Sequence, residues 1–245
     1  MSYWGGLASL GFYEMANKLI LQLRNIIVES ARIVVPVTAK NNAIESDSDL
    51  HFTFVQNTMN ITSFTLFYIF SLIAITLPLV SIIWLGSLNF SFINFALILL
   101  VGWFFSTFNA PIFLINLGTG HVRQNLYTYI IMAGTSIIFG NILGSLFMGI
   151  GVTSGVTLSM ILSALYLGHW YKNNIYDPEF YKLLNRYRFS IILTPVFSII
   201  AIYATIYLDL IIASLMILML IGIISIYTYK IYRKLNLKSL ITMNL

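Results

Sequence analysis

The sequence predicts an all-α fold, a polytopic membrane helix bundle of about seven transmembrane helices. Three observations carry that prediction. Of 245 residues, 59% are hydrophobic and only 9% are charged, against about 25% charged in an ordinary soluble domain. The 13 Lys and Arg and 8 Asp and Glu are too few to clothe a water-facing surface, so much of the surface must face lipid. Between Asp49 and Arg123 there is no Asp, Glu, Lys or Arg, a stretch long enough for two or three spans of about 20 residues each. Continuous apolar runs of this length exclude barrel strands, which alternate over about 10 residues. In hydrocarbon only helices and closed barrels satisfy their own backbone.

Seven apolar segments follow in order. The first, Gly5–Val35, is longer than an ordinary span and carries most of the intramembrane charge. Thr62–Leu85 is uncharged and holds Pro78, a kink position. Phe92–Leu117 is uncharged too and includes Pro111. Leu126–Gly149 and Thr153–Tyr171 flank a glycine-rich turn, with Gly134, Gly140, Gly144, Gly149, Gly151 and Gly155 suited to close helix packing. Phe189–Leu208, with Pro195, and Leu210–Tyr229 form a final pair around Asp209. The implied organisation is a five-helix bundle over residues 1–171, a cytoplasmic loop over 172–188, a helix pair over 189–229 and a basic tail over 230–245.

Loop charge sets the orientation. Lys40, Arg123, Lys172, Lys182, Arg186, Arg188, Lys230, Arg233, Lys234 and Lys238 all fall on one side of the membrane, in the loops Val37–Gln56, Gly118–Gln124 and Lys172–Arg188 and in the tail. The turns Gly86–Ser91, Ile150–Val152 and Asp209 carry no cation. The expectation is an outside N-terminus and a cytoplasmic C-terminus. No cleavable signal peptide is expected, because Glu14 and Lys18 interrupt the would-be apolar core and no basic region precedes it. Trp84, Trp103, Trp170 and several tyrosines read as interfacial anchors.

Composition also narrows the chemistry. With no cysteine, disulfides, thiolate metal sites and cysteine nucleophiles are excluded. The three histidines are scattered without carboxylate neighbours, and no metal-ligand spacing is visible. Gly118 and Gly120 form no phosphate loop. No enzyme, cofactor or nucleic-acid partner is expected, since the basic residues lie in loops and tail rather than on one folded face.

The informative polar residues lie in the first segment. At 100° per residue, Glu14, Lys18, Asn25, Glu29 and Arg32 fall within about 60° of one another. Gln22 borders that stripe, and Arg24 with Asn17 forms a second strip on its flank. Charge inside a membrane usually faces a bundle interior or a watery cavity, so Lys18, Arg24, Arg32, Glu14, Asn25 and Glu29 are the candidate cavity-lining residues. Two plainer readings stand beside this one. Glu14 and Lys18, spaced i, i+4, neutralise each other, and Glu29 and Arg32 snorkel to water. Asn109, Asn116, Asn125 and Asn141 are suited to interhelical hydrogen bonds or to lining a path.

The stretch GGLASLGFYEMANKLILQLRNIIVESARIVVPVTAK, residues 5–40, resembles a characteristic helix of the polysaccharide (O-antigen) flippase family. Gly5, Gly6, Leu7, Gly11, Tyr13, Glu14, Met15, Ala16, Arg24, Pro36, Val37 and Ala39 carry the likeness, with Phe12 where the family has Tyr. FNAP at Phe108–Pro111, the Gly118–Gly120 exit and GIGVTSG at Gly149–Gly155 are similar to later parts of the family. The resemblance covers residues 5–170, and the last two helices look like the extra C-terminal pair of many members. It implies a fold related to multidrug and toxic compound extrusion transporters, of which this chain is one lobe plus that pair. It implies flipping of an undecaprenyl-diphosphate-linked oligosaccharide across a bacterial inner membrane, for O-antigen or capsule synthesis. Lys18, Arg24 and Arg32 would then face the diphosphate and sugar, and coupling to an ion gradient is implied without naming the ion. The first segment matches the family's eighth helix, which implies the C-terminal portion of a two-lobed protein, through truncation, gene splitting or an incomplete reading frame. A separate N-terminal lobe or second chain is the implied partner, beside the lipid-linked oligosaccharide and membrane lipids. Other classes considered are a drug or cation extrusion transporter fragment, a membrane-embedded polymerase or acyltransferase, and a non-functional remnant.

Overall fold

In the computed structural model the described residues are 1–32, 34–43, 48–175, 185, 187–208 and 210–234, with backbone alone over 37, 40–43, 48–55, 188–190 and 231–234. Most of the expected loop 172–188 and the tail beyond 234 lie outside them. Eight helices are described: α1 Ser2–Ala31, α2 Val34–Ala43, α3 Ser48–Leu85, α4 Phe90–Phe108, α5 Ala110–Thr119, α6 Val122–Asn174, α7 Arg188–Tyr207 and α8 Leu210–Lys234. No strand occurs among the described residues.

Among the described residues, four helical stretches are long and apolar enough to cross a membrane: Gln56–Leu85, Phe90–Thr119, Val122–Asn174 and Leu210–Lys230. A shorter apolar helix covers Ile191–Tyr207. The chain is thus a helical membrane protein. Large apolar side chains such as Ile130, Ile137, Ile138 and Leu146 on α6 are exposed in the structure, as lipid-covered faces must be. The expected loop Val37–Gln56 is largely helical instead, through α2 and the start of α3. Polarity ends an apolar run without ending a helix, and Pro36 stands in the first turn of α2, where a missing N–H costs nothing.

The chain forms two compact units. Unit 1 comprises Met1–Thr62 and Phe90–Phe180, and unit 2 comprises Ser63–Asn89 and Tyr181–Leu245. Within unit 2, Ile75 packs with Phe197, Ala201, Ile217, Leu220 and Ile224. Two polar links tie its helices together: the hydroxyls of Ser71 and Thr194 lie 2.8 Å apart and those of Tyr68 and Ser225 3.2 Å apart.

Unit 1 is built on α4, which packs against α1 and α6. The uncharged stretch Phe90–Thr119 is broken between α4 and α5 at Asn109 (φ −90°, ψ 2°). Pro111 explains the break, because it lacks an N–H and its ring clashes with the preceding turn. α5 ends at Gly120, whose left-handed backbone (φ 86°) suits a residue without a Cβ. α1 is bent near its start at Gly6 (φ 76°, ψ 171°).

The 53 residues of α6 are two arms joined at Phe147 and Met148, both non-helical. Arms 122–146 and 149–174 each exceed the ~20 residues of one span. They fold back on each other through two small-residue pairs. A Cβ added at Gly155 would lie 2.6 Å from the backbone of Phe139 and Gly140, and one at Gly151 would strike Leu143 and Gly144. Gly140-x-x-x-Gly144 on one arm thus meets Gly151-x-x-x-Gly155 on the other, bringing the backbones together where side chains would hold them apart. The Tyr166 hydroxyl donates to Gln124 Oε1 at 2.8 Å farther along the same seam.

Met148 adopts φ 53°, ψ −134°, a region that disfavours any residue bearing a Cβ. Relief of that strain outweighs glycine's extra chain entropy, so Met148→Gly is expected to stabilise the protein by about 1 kcal/mol. A raised thermal unfolding midpoint in detergent would show it, and an unchanged or lowered midpoint would refute it.

Candidate functional site

The buried face of α1 carries Ala16, Ile20, Ile27 and Ala31. On a helical projection these residues centre about 200° from the polar stripe. Accordingly Glu14, Lys18, Gln22, Asn25, Glu29 and Arg32 are all exposed. The flanking strip turns inward instead. Asn17 Oδ1 accepts the indole N–H of Trp103 at 3.0 Å. The Arg24 guanidinium lies over the same indole, 5.0 Å from its ring centre. Trp103 therefore does not anchor an interface. It lies well inside the stretch Phe90–Thr119 and ties α4 to α1, and its position along an uncharged segment gave no hint of either partner.

Arg24 lines a cavity of about 640 Å³ within unit 1, a volume typical of ligand pockets (about 300–1,000 Å³). α1 contributes Arg24 and Val28, with Arg32 just beyond its end. The broken helix contributes Trp103, Ser106, Asn109 and Phe113, and the α6 arms contribute Thr128, Tyr129, Met132, Ser163 and Leu167. The break at Asn109 helps to shape this wall. Freed from the helix, the Asn109 amide donates to the Ala164 carbonyl at 2.6 Å, holding α4–α5 against the second arm of α6. Phe113 and Tyr129 meet edge to face at 5.6 Å, giving the wall aromatic edges.

Two cations, Arg24 and Arg32, serve this cavity, and no Asp or Glu is among its lining residues. Arg32 is engaged at its exposed end, its Nε 3.1 Å from Glu29 Oε2, with the two side chains 65% and 57% exposed. Arg24 is different. Nη1 donates to Asn25 Oδ1 at 3.3 Å, while Nε is buried without a partner. A guanidinium carries five donors in a planar fork, and an unpaired buried donor is costly. An anionic acceptor is one kind of group that would satisfy that donor.

The six sequence candidates thus separate. Arg24 and Arg32 line the cavity. Asn25 touches it only through its bond to Arg24, and Glu29 only through Arg32. Glu14 and Lys18 are on the exposed stripe and have no hydrogen-bond or ion-pair partner among the described residues, each other included. Of the asparagines, Asn109 lines the cavity, whereas Asn116 Nδ2 donates to Asn125 Oδ1 at 3.1 Å in a buried pair and Asn141 bonds within its own helix. Ser106, Tyr129 and Ser163 are lining residues that sequence reasoning did not single out, since each lies unremarked in an apolar run. The described residues hold no group of three or more His, Cys, Asp or Glu placed to bind a metal.

No protein-family model, curated protein or solved structure matches the chain.

Proposed function

We propose that the chain is a membrane lobe of a flippase, carrying undecaprenyl-diphosphate-linked oligosaccharide from the cytoplasmic to the periplasmic leaflet of a bacterial inner membrane. One observation carries the reading: a largely apolar cavity is lined by the half-buried guanidinium of Arg24, whose buried Nε has no partner, and no Asp or Glu is among its lining residues. Such a cavity suits an amphiphile with an anionic head. A diphosphate accepts the planar fork of Arg24, and the aromatic and hydroxyl wall of Trp103, Tyr129, Ser106 and Ser163 suits sugar rings. Export of cationic drugs would call for the opposite charge in the wall. The likeness of residues 5–40 to the flippase helix supports the same substrate class.

In this reading the chain crosses the membrane about seven times. α1 is the first span and the two arms of α6 are two more, with the N-terminus periplasmic and the C-terminus cytoplasmic. The ten loop and tail cations on one side support that topology. The mechanism is alternating access around a midplane site, with no covalent step. Arg24 and Arg32 hold the diphosphate, Asn25 positions Arg24 and Glu29 tethers Arg32.

The test is complementation. The chain is expressed alone, and with an N-terminal flippase lobe, in a strain lacking its own polysaccharide flippase. Surface polysaccharide is expected to return in at least one arm. Its absence from both, with the chain shown to be in the membrane, overturns the proposal.

A further inference from the structure

The N-terminal part of the exposed stripe on α1, Glu14, Lys18 and Gln22, is not explained by the cavity. Glu14 and Lys18 stand near the middle of a 30-residue helix, directed away from the buried face and unpaired among the described residues. Charged groups at that depth of a membrane helix lie against protein or water, not lipid. The stripe also has an internal order. From its N-terminal end it reads acid, base, amide, amide, acid, base: Glu14, Lys18, Gln22, Asn25, Glu29, Arg32. Its charges sum to zero, and each acid is followed at three or four residues by a base.

We propose that this stripe is the contact surface for a second copy of the chain, related by a two-fold axis along the membrane normal. Both copies insert with the same polarity, so their α1 helices lie parallel and each residue falls near its own counterpart. Glu14 of one copy is then offset from Lys18 of the other by about 6 Å along the axis, within reach of a lysine side chain. The reciprocal pair forms at the same time, as two-fold symmetry requires. Glu29 and Arg32 already pair within each copy, 3.1 Å apart, so they bring no net charge to the seam. Asn25 lies at the middle of the stripe and meets its own counterpart there, where its amide N–H is free to donate, while Gln22 borders the contact. A different partner would need a matching stripe of its own, whereas this one is complementary to itself. Val28 and Arg32, on the near edge of the stripe, also line the cavity, so the seam runs beside both cavities.

The inference rests on α1 crossing the membrane, part of the reading above, but not on the identity of the substrate. The chain has no cysteine, so single cysteines report without background. Asn25→Cys is expected to form disulfide-linked dimers on oxidation in native membranes, and Ile138→Cys on the exposed face of α6 is expected to stay monomeric. Glu14→Lys and Lys18→Glu, each tested in the Asn25→Cys background, are expected to lower cross-linking more than about tenfold by setting like charges opposite one another. The double exchange Glu14→Lys with Lys18→Glu is expected to restore it, which a merely misfolded variant would not do. Monomeric Asn25→Cys, cross-linking only when another lobe is co-expressed, or failure of the double exchange overturns the proposal. Labelling by a membrane-impermeant maleimide separates the two readings. Reaction at Asn25→Cys alone, without cross-linking, overturns the dimer and leaves the span intact. Equal reaction at Asn25→Cys and at Leu19→Cys, on a half-buried flank of α1 away from the stripe, overturns the span as well.

Discussion

On the proposed function, Arg24→Glu is expected to lower flipping of a fluorescent lipid-linked oligosaccharide, in proteoliposomes of whichever assembly restores surface polysaccharide, by at least about 100-fold. A hydrogen bond to a charged group contributes about 1.5–3 kcal/mol, and every 1.4 kcal/mol is tenfold in affinity. The reversal removes the guanidinium donors and adds repulsion against a diphosphate. Arg24→Lys keeps the charge but not the planar fork, so an intermediate loss of about tenfold is expected. The folded state should bear the change, since the stacking on Trp103 is worth about 0.5–2 kcal/mol and the strain of an unpartnered buried Nε goes with the guanidinium. A thermal unfolding curve in detergent separates the two effects. Unchanged transport by Arg24→Glu would remove the cavity from the substrate path.

Gly155→Leu is expected to leave little folded protein in the membrane. The Cβ alone would meet the backbone of Phe139 and Gly140 at 2.6 Å, and backbone of the opposing arm cannot swing aside as a side-chain tip does. Overpacking of a close contact costs about 1–3 kcal/mol for small additions, so Gly155→Ala should already lower the unfolding midpoint visibly. Gly134→Ala is the control, because nothing lies within 4 Å of its added Cβ. Equal behaviour of the alanine variants would mean that the two arms of α6 do not pack at this seam.

Both effects grow from features that the sequence announced unequally. Six glycines, 134, 140, 144, 149, 151 and 155, stood out around one turn as suited to close packing, and the structure shows that 140, 144, 151 and 155 form the seam while nothing lies within 4 Å of a Cβ at Gly134. The turn itself was misplaced by a few residues: the chain reverses at Phe147 and Met148, before the glycine-rich Gly149–Gly151, because the glycines are spent on packing rather than on turning. Pro78, Pro111 and Pro195 were alike in sequence as kink positions; only the fold shows that the helix breaks at Pro111 and that the freed Asn109 amide then clamps α5 to α6.

Periodicity already set Lys18 on the polar stripe and Arg24 on its flank, yet both stood as candidate cavity cations. The fold separates them. Helical projection places Arg24 on the flank, where it meets Trp103 and the cavity, and leaves Lys18 on a face that nothing in the chain's described residues covers. Composition and apolar run length by themselves determined that this is a helical membrane protein, because a backbone in hydrocarbon has almost no other way to satisfy its hydrogen bonds. Periodicity determined that α1 has a polar face. Which flank of that face becomes a site was decided only by tertiary structure, as was the grouping of Ser63–Asn89 with Tyr181–Leu245. Spans in lipid are similar in polarity all round, so their sequence does not say which neighbours they choose; shape complementarity between particular side chains does.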